Sequence, residues 1–331
     1  MMKCIVITGA GGFIGRQLCH RLNTRHTVIG VDIAGPPEGI PYSLWEQADV
    51  TDGDAAVKMC EQYSPDTIIH CAGIAHQKMG AVGFDTYMRV NSEGTETLAK
   101  AAVRVNPNVC FIFFSSISVY GEAHLSRPVS EDSACDPSGA YAESKLDAER
   151  RLGALADDGT LHNLIILRLA PVYDRKWSLN LDRRVFAPRK IAYLKFGSGS
   201  QRMSAVARPN LVDFVEYLIH RDPQPDAGDG VRNDLCNLLF NVCDTEPYSF
   251  VTVIDVFKKS GIYPKRRVIP IPLCLVWLAT RFAGIVFRSK RAWIHSCYEK
   301  LASDLIFDNT KMLGTGFRPV HSLETVMKEG N

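Results

Sequence analysis

Apolar residues fall in short, nearly unbroken runs through the first half of the chain. Cys4–Thr8, Thr27–Val31, Thr67–His70, Cys110–Phe114 and Leu164–Leu167 are rich in β-branched and aromatic side chains and scarcely alternate with polar ones. Runs of this kind predict strands covered on both faces, as in a parallel sheet. Between them lie helix-length segments: Phe13–Leu22, Asp54–Gln62, Ser92–Val105 and Tyr141–Leu155. Strand followed by helix, repeated, predicts a doubly wound α/β sheet. Leu238–Val242 predicts a late strand returning to it. Residues 1–172, with 205–244 returning, are expected to form this domain. Residues 173–204 and 245–331 carry more Pro, Arg and isolated apolar pieces, and are expected to form a smaller C-terminal lobe.

Composition narrows the class. The chain has 331 residues, 46% apolar and 22% charged, which excludes wholesale disorder, collagen and coiled coil. Its ten cysteines contain no Cys-x-x-Cys pair, so neither a zinc ribbon nor a thioredoxin-like dithiol is signalled and no metal is expected. Several sit in apolar runs, which suits buried thiols in a reducing, cytoplasmic compartment. The first apolar run passes straight into a Gly-rich turn, so no signal peptide is expected.

The net charge of +2 conceals an asymmetry. Residues 256–298 hold nine Lys or Arg and no Asp or Glu, leaving the remainder net acidic. The longest apolar stretch, Val268–Phe287, lies inside this segment and is interrupted by Pro270, Pro272 and Arg281. Its uncharged part falls short of the roughly 18–20 residues that span a bilayer, so no stable membrane insertion is expected. Two readings of the segment stand. The favoured one is a core helix over Leu273–Phe287 flanked by solvated basic loops. The other lays a basic face with Trp277, Phe282, Phe287 and Trp293 against an anionic membrane surface. No nucleic-acid-binding signature is present, and no nucleic acid partner is expected.

Candidate chemistry begins at Thr8-Gly9-Ala10-Gly11-Gly12-Phe13-Ile14-Gly15, between the first predicted strand and helix. Gly is needed there for the turn, for close approach of a pyrophosphate, and for packing of helix on strand. A purely structural strand-turn-helix has the same pattern. The next strand ends on Asp32, where a carboxylate accepts hydrogen bonds from ribose hydroxyls and repels a 2′-phosphate, favouring NAD over NADP. Further on, Tyr141 and Lys145 are four apart, hence on one helix face. A phenol titrates near pH 10, and a neighbouring cation lowers that value toward use as a base. The pair is short enough to arise as a surface pair. Ser115-Ser116, at the end of the preceding strand, gives it weight, because ligands bind at strand ends of open α/β sheets.

Taken together, these residues resemble the extended short-chain dehydrogenase/reductase superfamily, and within it the nucleotide-sugar epimerases and reductases. The resemblance includes the glycines at 9, 12 and 15, Ala48-Asp49-Val50-Thr51-Asp52 and His70-Cys71-Ala72-Gly73. It continues through Asn91-Ser92-Glu93-Gly94-Thr95, Ser115 to Gly121, Tyr141 to Lys145 and Leu167 to Tyr173. It implies a Rossmann-like sheet, bound NAD and a lobe that receives a UDP-sugar or other nucleoside diphosphate sugar. It places Gly9, Gly12, Phe13, Ile14, Gly15, Asp32, Asp49, Val50, Ala72, Gly73, Asn91 and Ser115 along the cofactor. Ser116, Tyr141 and Lys145 fall on the catalytic positions, with Tyr141 as acid/base and Lys145 holding the nicotinamide ribose. Asn180 and Arg202 are expected substrate contacts, Arg being suited to diphosphate. A homodimer through 92–105 and 141–155 is the family expectation.

Departures narrow the reaction. The family's 4,6-dehydratases carry an Asp-Glu pair where this chain has Ile117-Ser118, and Ile117 cannot donate the proton that elimination requires. Ala75-His76-Gln77, Phe240-Asn241-Val242 and Leu301 to Leu305 are similar to a polysaccharide-cluster (O-antigen) branch acting on UDP-N-acetylhexosamines. In that branch Leu305 matches a position limiting the sugar's C2 substituent. The expectation is a C4 epimerase of a UDP-hexose or UDP-N-acetylhexosamine working through a 4-keto intermediate. The alternatives are a 4-reductase of a nucleotide-linked 4-keto-6-deoxyhexose and a non-catalytic NAD(H) sensor.

Overall fold

The computed structural model describes residues 2–75, 82–121, 128–221, 238–263, 265–288 and 291–328. In chain order the first half runs β1 (Cys4–Thr8), α1 (Gly15–Leu22), β2 (Thr27–Asp32), β3 (Leu44–Gln47), α2 (Gly53–Tyr63), β4 (Thr67–His70), α3 (Phe84–Met88), α4 (Gly94–Val105), β5 (Cys110–Ser116), α5 (Ala140–Asp157) and β6 (Asn163–Leu169). There follow β7 (Val172–Tyr173), α6 (Leu179–Val185), β8 (Tyr193–Phe196), β9 (Arg202–Met203), β10 (Val206–Ala207), α7 (Arg208–His220) and β11 (Leu238–Val242). The chain continues with β12 (Tyr248–Ser249), α8 (Phe250–Lys259), β13 (Val268–Ile271), α9 (Leu273–Val286), α10 (Arg291–Ala302), α11 (Thr310–Gly314) and α12 (Leu323–Lys328).

Seven strands form the central sheet in the order β11-β6-β5-β4-β1-β2-β3. The pairs β1/β2, β2/β3, β1/β4 and β4/β5 are parallel, as the unbroken apolar runs predict. The chain builds outward from β1 to β3, then crosses back to lay β4 on the other side of β1. Beside β1, therefore, the strand order reverses, and the carboxyl ends of β1 and β4 flank the crevice where open α/β sheets bind ligands.

Two features have no counterpart in the hydrophobic pattern. β3 is a half-exposed edge strand, Leu-Trp-Glu-Gln, too short and polar to announce itself. The helix predicted from Ser92 is preceded by a π-helical turn over Arg89–Glu93. Such a turn widens the helix by one residue and commonly accompanies functional sites.

The chain forms two compact units. The first comprises 1–119, 135–168 and 212–240, around a core that includes Val6, Ile29, Ile68, Phe111 and Phe113. The second comprises 120–134, 169–211 and 241–331, around Tyr173, Tyr193, Phe250, Phe257 and Met327. Two-stranded ladders β7/β10, β9/β12 and β8/β13 brace the second unit. One expectation fails there. α9 is not a core helix: Leu275, Leu278, Phe282 and Ile285 are 58–68% exposed and Gly284 is its one buried residue. Apolar composition shows that a segment gains by having a partner. In the described residues α9 meets α10 along one side, and the rest of its apolar surface stays bare.

Candidate active site

β1 delivers the chain to Gly9, whose φ of +65° is a conformation that favours glycine. A Cβ on Gly9 would stand 2.8 Å from the Ala72 amide nitrogen, and one on Gly15 would collide with the Gly9 carbonyl. Gly12 N–H donates to that carbonyl at 2.9 Å. The turn is thus closed on itself and its glycines leave backbone where side chains would stand. Ile14 supplies no side-chain acceptor to the first turn of α1. A bare backbone cradle before a helix N-terminus fits a dinucleotide pyrophosphate.

Asp32 closes β2, and its two oxygens accept from Gly11 N at 3.0 Å and Ala34 N at 3.2 Å. The carboxylate therefore ties the glycine turn to the next strand. Trp45 of β3 lies over Gly30, where a Cβ would meet its ring at 2.7 Å, and its Nε1 donates to Ala34 O at 3.3 Å. Asp49 is exposed and accepts from Thr51 N at 2.9 Å, while Val50 is buried. Phe13 and Ile14 are half-buried at the start of α1.

The crevice side of β4 is held by hydrogen bonds. Ala72 N donates to Thr8 Oγ1 at 3.2 Å. Gly73 is exposed and faces both Asn91 Oδ1 and Lys145 Nζ, which a Cβ there would approach to 3.0 and 3.5 Å. Asn91, fully buried in the π-helical turn, accepts from Ile74 N at 2.7 Å and donates to Ile74 O and Ser144 Oγ, both at 3.0 Å. It pins the loop after β4 to α5.

Ser116, Tyr141 and Lys145 come together in the same unit. Ser116 Oγ accepts from Ser118 Oγ at 2.9 Å and Ser118 N at 3.2 Å. Lys145 is buried, donates to Phe114 O at 2.8 Å, and lies 4.6 Å from the Phe113 ring centre. Desolvation lowers its pKa to about 8. Tyr141 shows the reverse of the expected sense. Burial pushes the phenol above its ordinary value, and the hydrogen bond from Ser116 pulls it back only in part. The four-residue spacing brings the ammonium to the face, but its bond goes to the strand carbonyl.

Ser115 is 2% exposed and donates to Glu149 Oε1, so its hydroxyl is spent on a buried ion pair. Glu149 and Arg168 form that pair, with Arg168 Nε at 3.0 Å from Oε1 and Nη2 at 2.6 Å from Oε2. The pair was missed in the sequence. Its signal was Glu149 four residues beyond Lys145 and one Arg inside an otherwise apolar strand. His70 was missed also. Its ring bridges Thr8 Oγ1 at 2.7 Å and Thr95 Oγ1 at 2.9 Å, and burial lowers its pKa to about 3.

Both expected substrate contacts lie on the second unit. Asn180 is on α6. Arg202 grips Asp304 through Nε at 3.1 Å and Nη2 at 3.0 Å, with about half of its side chain exposed. Leu305 is buried in that unit's core. His76 and Gln77 lie outside the described residues.

Residues 5–226 match the model of the NAD dependent epimerase/dehydratase family. The UDP-glucose 4-epimerase of Vibrio cholerae is 31% identical over 227 residues, covering 66% of this chain and 67% of that protein. The dTDP-glucose 4,6-dehydratase of Salmonella typhimurium is 28% identical over 179 residues, covering 45% of this chain and 49% of that one. The chain spans about half the length of this dehydratase. The structure of the UDP-Glc/GlcNAc 4-epimerase from Campylobacter jejuni superposes with a TM-score of 0.73 at 19% identity, over 98% of this chain and 97% of that one, a likeness of fold.

Proposed function

This chain belongs to the NAD-dependent epimerase/dehydratase family, and on that premise we propose that it is a nucleotide-sugar C4 epimerase acting on a UDP-hexose or UDP-N-acetylhexosamine. The observation that carries the reading is the meeting of Ser116, Tyr141 and Lys145 beyond the end of β5, next to Ile117 rather than an acid. A hydroxyl and a phenol there can share one substrate oxygen. No acid follows Ser116 to protonate a leaving hydroxyl, which disfavours elimination.

Gly9, Gly12 and Gly15 would hold the NAD diphosphate, with Phe13 and Ile14 beside it. Asp32 would accept the adenosine ribose hydroxyls, Asp49 and Val50 would meet the adenine, and Ala72, Gly73 and Asn91 would line the inner half. NAD supplies a hydride acceptor and, when oxidised, a positive ring. Tyr141 as phenolate takes the proton of the sugar O4–H, and Ser116 donates a hydrogen bond to that oxygen. Because Tyr141 titrates high in the protein alone, its activation rests on the positive charge that arrives with the cofactor. Lys145, already fixed on Phe114 O, presents its remaining donors to a ribose. Residues 173–204 and 245–331 receive the sugar nucleotide, with Asn180 and Arg202 at the diphosphate. The enzyme works as a cytoplasmic homodimer joined through α4 and α5.

The test uses purified protein. Nicotinamide cofactor released on denaturation, together with epimer formation without added cofactor, is the expected result. Reduction of a 4-keto sugar that consumes added NADH or NADPH, with no epimer formed, would overturn it in favour of a 4-reductase.

A further inference from the structure

Of fifteen exposed large apolar residues among the described ones, seven lie between 275 and 287. Leu275, Leu278, Phe282, Ile285 and Val286 recur at helical spacing and make one continuous bare stripe along α9. Scattered exposed apolar residues are ordinary, whereas a contiguous patch marks a surface that meets something.

The adjoining stripe has a different chemistry. Trp277, Arg281 and Arg288 of α9 and its continuation, with Arg291, His295 and Tyr298 of α10, line an open cavity of about 470 Å³. Arg281 stacks over the Trp277 ring with its guanidinium carbon 5.4 Å from the ring centre. Among the described residues no carboxylate pairs with Arg281, Arg288 or Arg291. Glu299 is 3.8 Å from His295, and the 43 residues from 256 to 298 contain no Asp or Glu. Guanidinium groups gathered without carboxylates, beside an aromatic ring, suit phosphate oxygens.

We propose that the α9–α10 face docks on the surface of a lipid bilayer that carries anionic headgroups. The bare stripe enters the boundary between headgroups and acyl chains, and the three guanidiniums take headgroup phosphates. The face lies along the surface rather than crossing it: α9 has 14 residues, about 21 Å of helix against a hydrocarbon core of about 30 Å. Charge also chooses between occupants. A second copy brought to this face would set Arg281, Arg288 and Arg291 against the same cations, whereas an anionic bilayer satisfies both stripes at once. The face shares no residue with Ser116, Tyr141 and Lys145, so the proposal stands whether or not the proposed epimerisation does.

The test is flotation of the full-length protein with phosphatidylcholine vesicles containing about a third phosphatidylglycerol, against pure phosphatidylcholine. The expected result is co-flotation with the anionic vesicles at low salt, reduced by high salt and weak on the neutral ones. Reversing all three charges (Arg281→Glu, Arg288→Glu, Arg291→Glu) should lower partitioning by about tenfold or more, and Phe282→Ser with Ile285→Ser should lower it as well. Absence of wild-type co-flotation at low salt overturns the proposal. So does equal flotation of folded variants, or a soluble dimer that Phe282→Ser disperses without any vesicle affinity. Should the variants fail to fold, quenching of wild-type tryptophan fluorescence by brominated lipid gives the answer alone: quenching supports docking, and its absence refutes it.

Discussion

α5 and α9 are both long helices carrying cations, and they spend them in opposite ways. On α5 every functional side chain is partnered within its own unit: Lys145 on the Phe114 carbonyl, Ser144 on Asn91, Glu149 on Arg168 and Ser115. On α9 the apolar stripe is bare and Arg281 has a tryptophan ring for its neighbour. Burial forces the first arrangement, because an unpaired charge in the interior costs several kcal/mol. Exposure permits the second, since water solvates each cation and the cost falls on apolar surface instead. A helix whose polar groups are all satisfied internally holds geometry, and one whose surface is unsatisfied offers contact.

Substitutions can break this contrast, beginning with the largest effect. Tyr141→Phe removes the hydroxyl proposed to transfer the proton while keeping the ring, so turnover should fall about 10³-fold with bound NAD retained. Single-turnover kinetics and cofactor content measure the two separately, and wild-type-like turnover would remove Tyr141 from the role given it. Arg168→Ala leaves Glu149 buried without its cation and should cost about 3–5 kcal/mol in urea unfolding. A loss below about 1 kcal/mol would mean that Glu149 finds water or protonates cheaply.

His70 supplies the intermediate effect, read as pH dependence. Its folded pKa is lowered to about 3 from an ordinary value near 6.5. The unfolded chain therefore binds a proton that the folded one refuses, and stability falls as pH drops below 6.5. Between pH 6.5 and pH 5 the loss attributable to His70 should reach about 1.6 kcal/mol. His70→Asn should flatten that part of the profile, and an unchanged slope would assign it elsewhere. The smallest effect belongs to α9. Phe282→Ser should change unfolding free energy by about 0.5 kcal/mol or less, because the ring is already in water. A loss of several kcal/mol would show that α9 is covered in the folded protein.

Much of the strand-turn-helix geometry at the end of β1 was legible in the sequence because steric demands leave little choice of residue. Gly9 and Gly15 announce close backbone approach, and Asp32 announces a strand end beside it. Tyr141 and Lys145 were readable as a helical face. What was hidden depends on partners distant in sequence. Trp45 reaches Ala34 from a strand of only four residues. Asn91 acquires its two Ile74 bonds from a π-helical turn that composition does not encode. The sense of the Tyr141 shift was hidden too, since spacing reports proximity to Lys145 and says nothing of where the ammonium points. The exposure of α9 was illegible for a similar reason: its hydrophobicity states a need without saying whether the chain meets it.

The contact between Asp32 and Gly11 has a kinetic side. With Gly11 N–H already bonded to the carboxylate and Gly12 N–H to the Gly9 carbonyl, the turn is shaped before any ligand arrives. Binding to a preshaped loop surrenders little conformational freedom, and affinity won in that way is expressed chiefly as slow departure. An epimerase of the kind proposed restores its cofactor to the starting oxidation state at each turnover and gains from long residence, since release would only strand it empty. If NAD binds where we propose, the rigidity of a few backbone atoms at the end of β1 sets a clock, measurable as the off-rate of NAD.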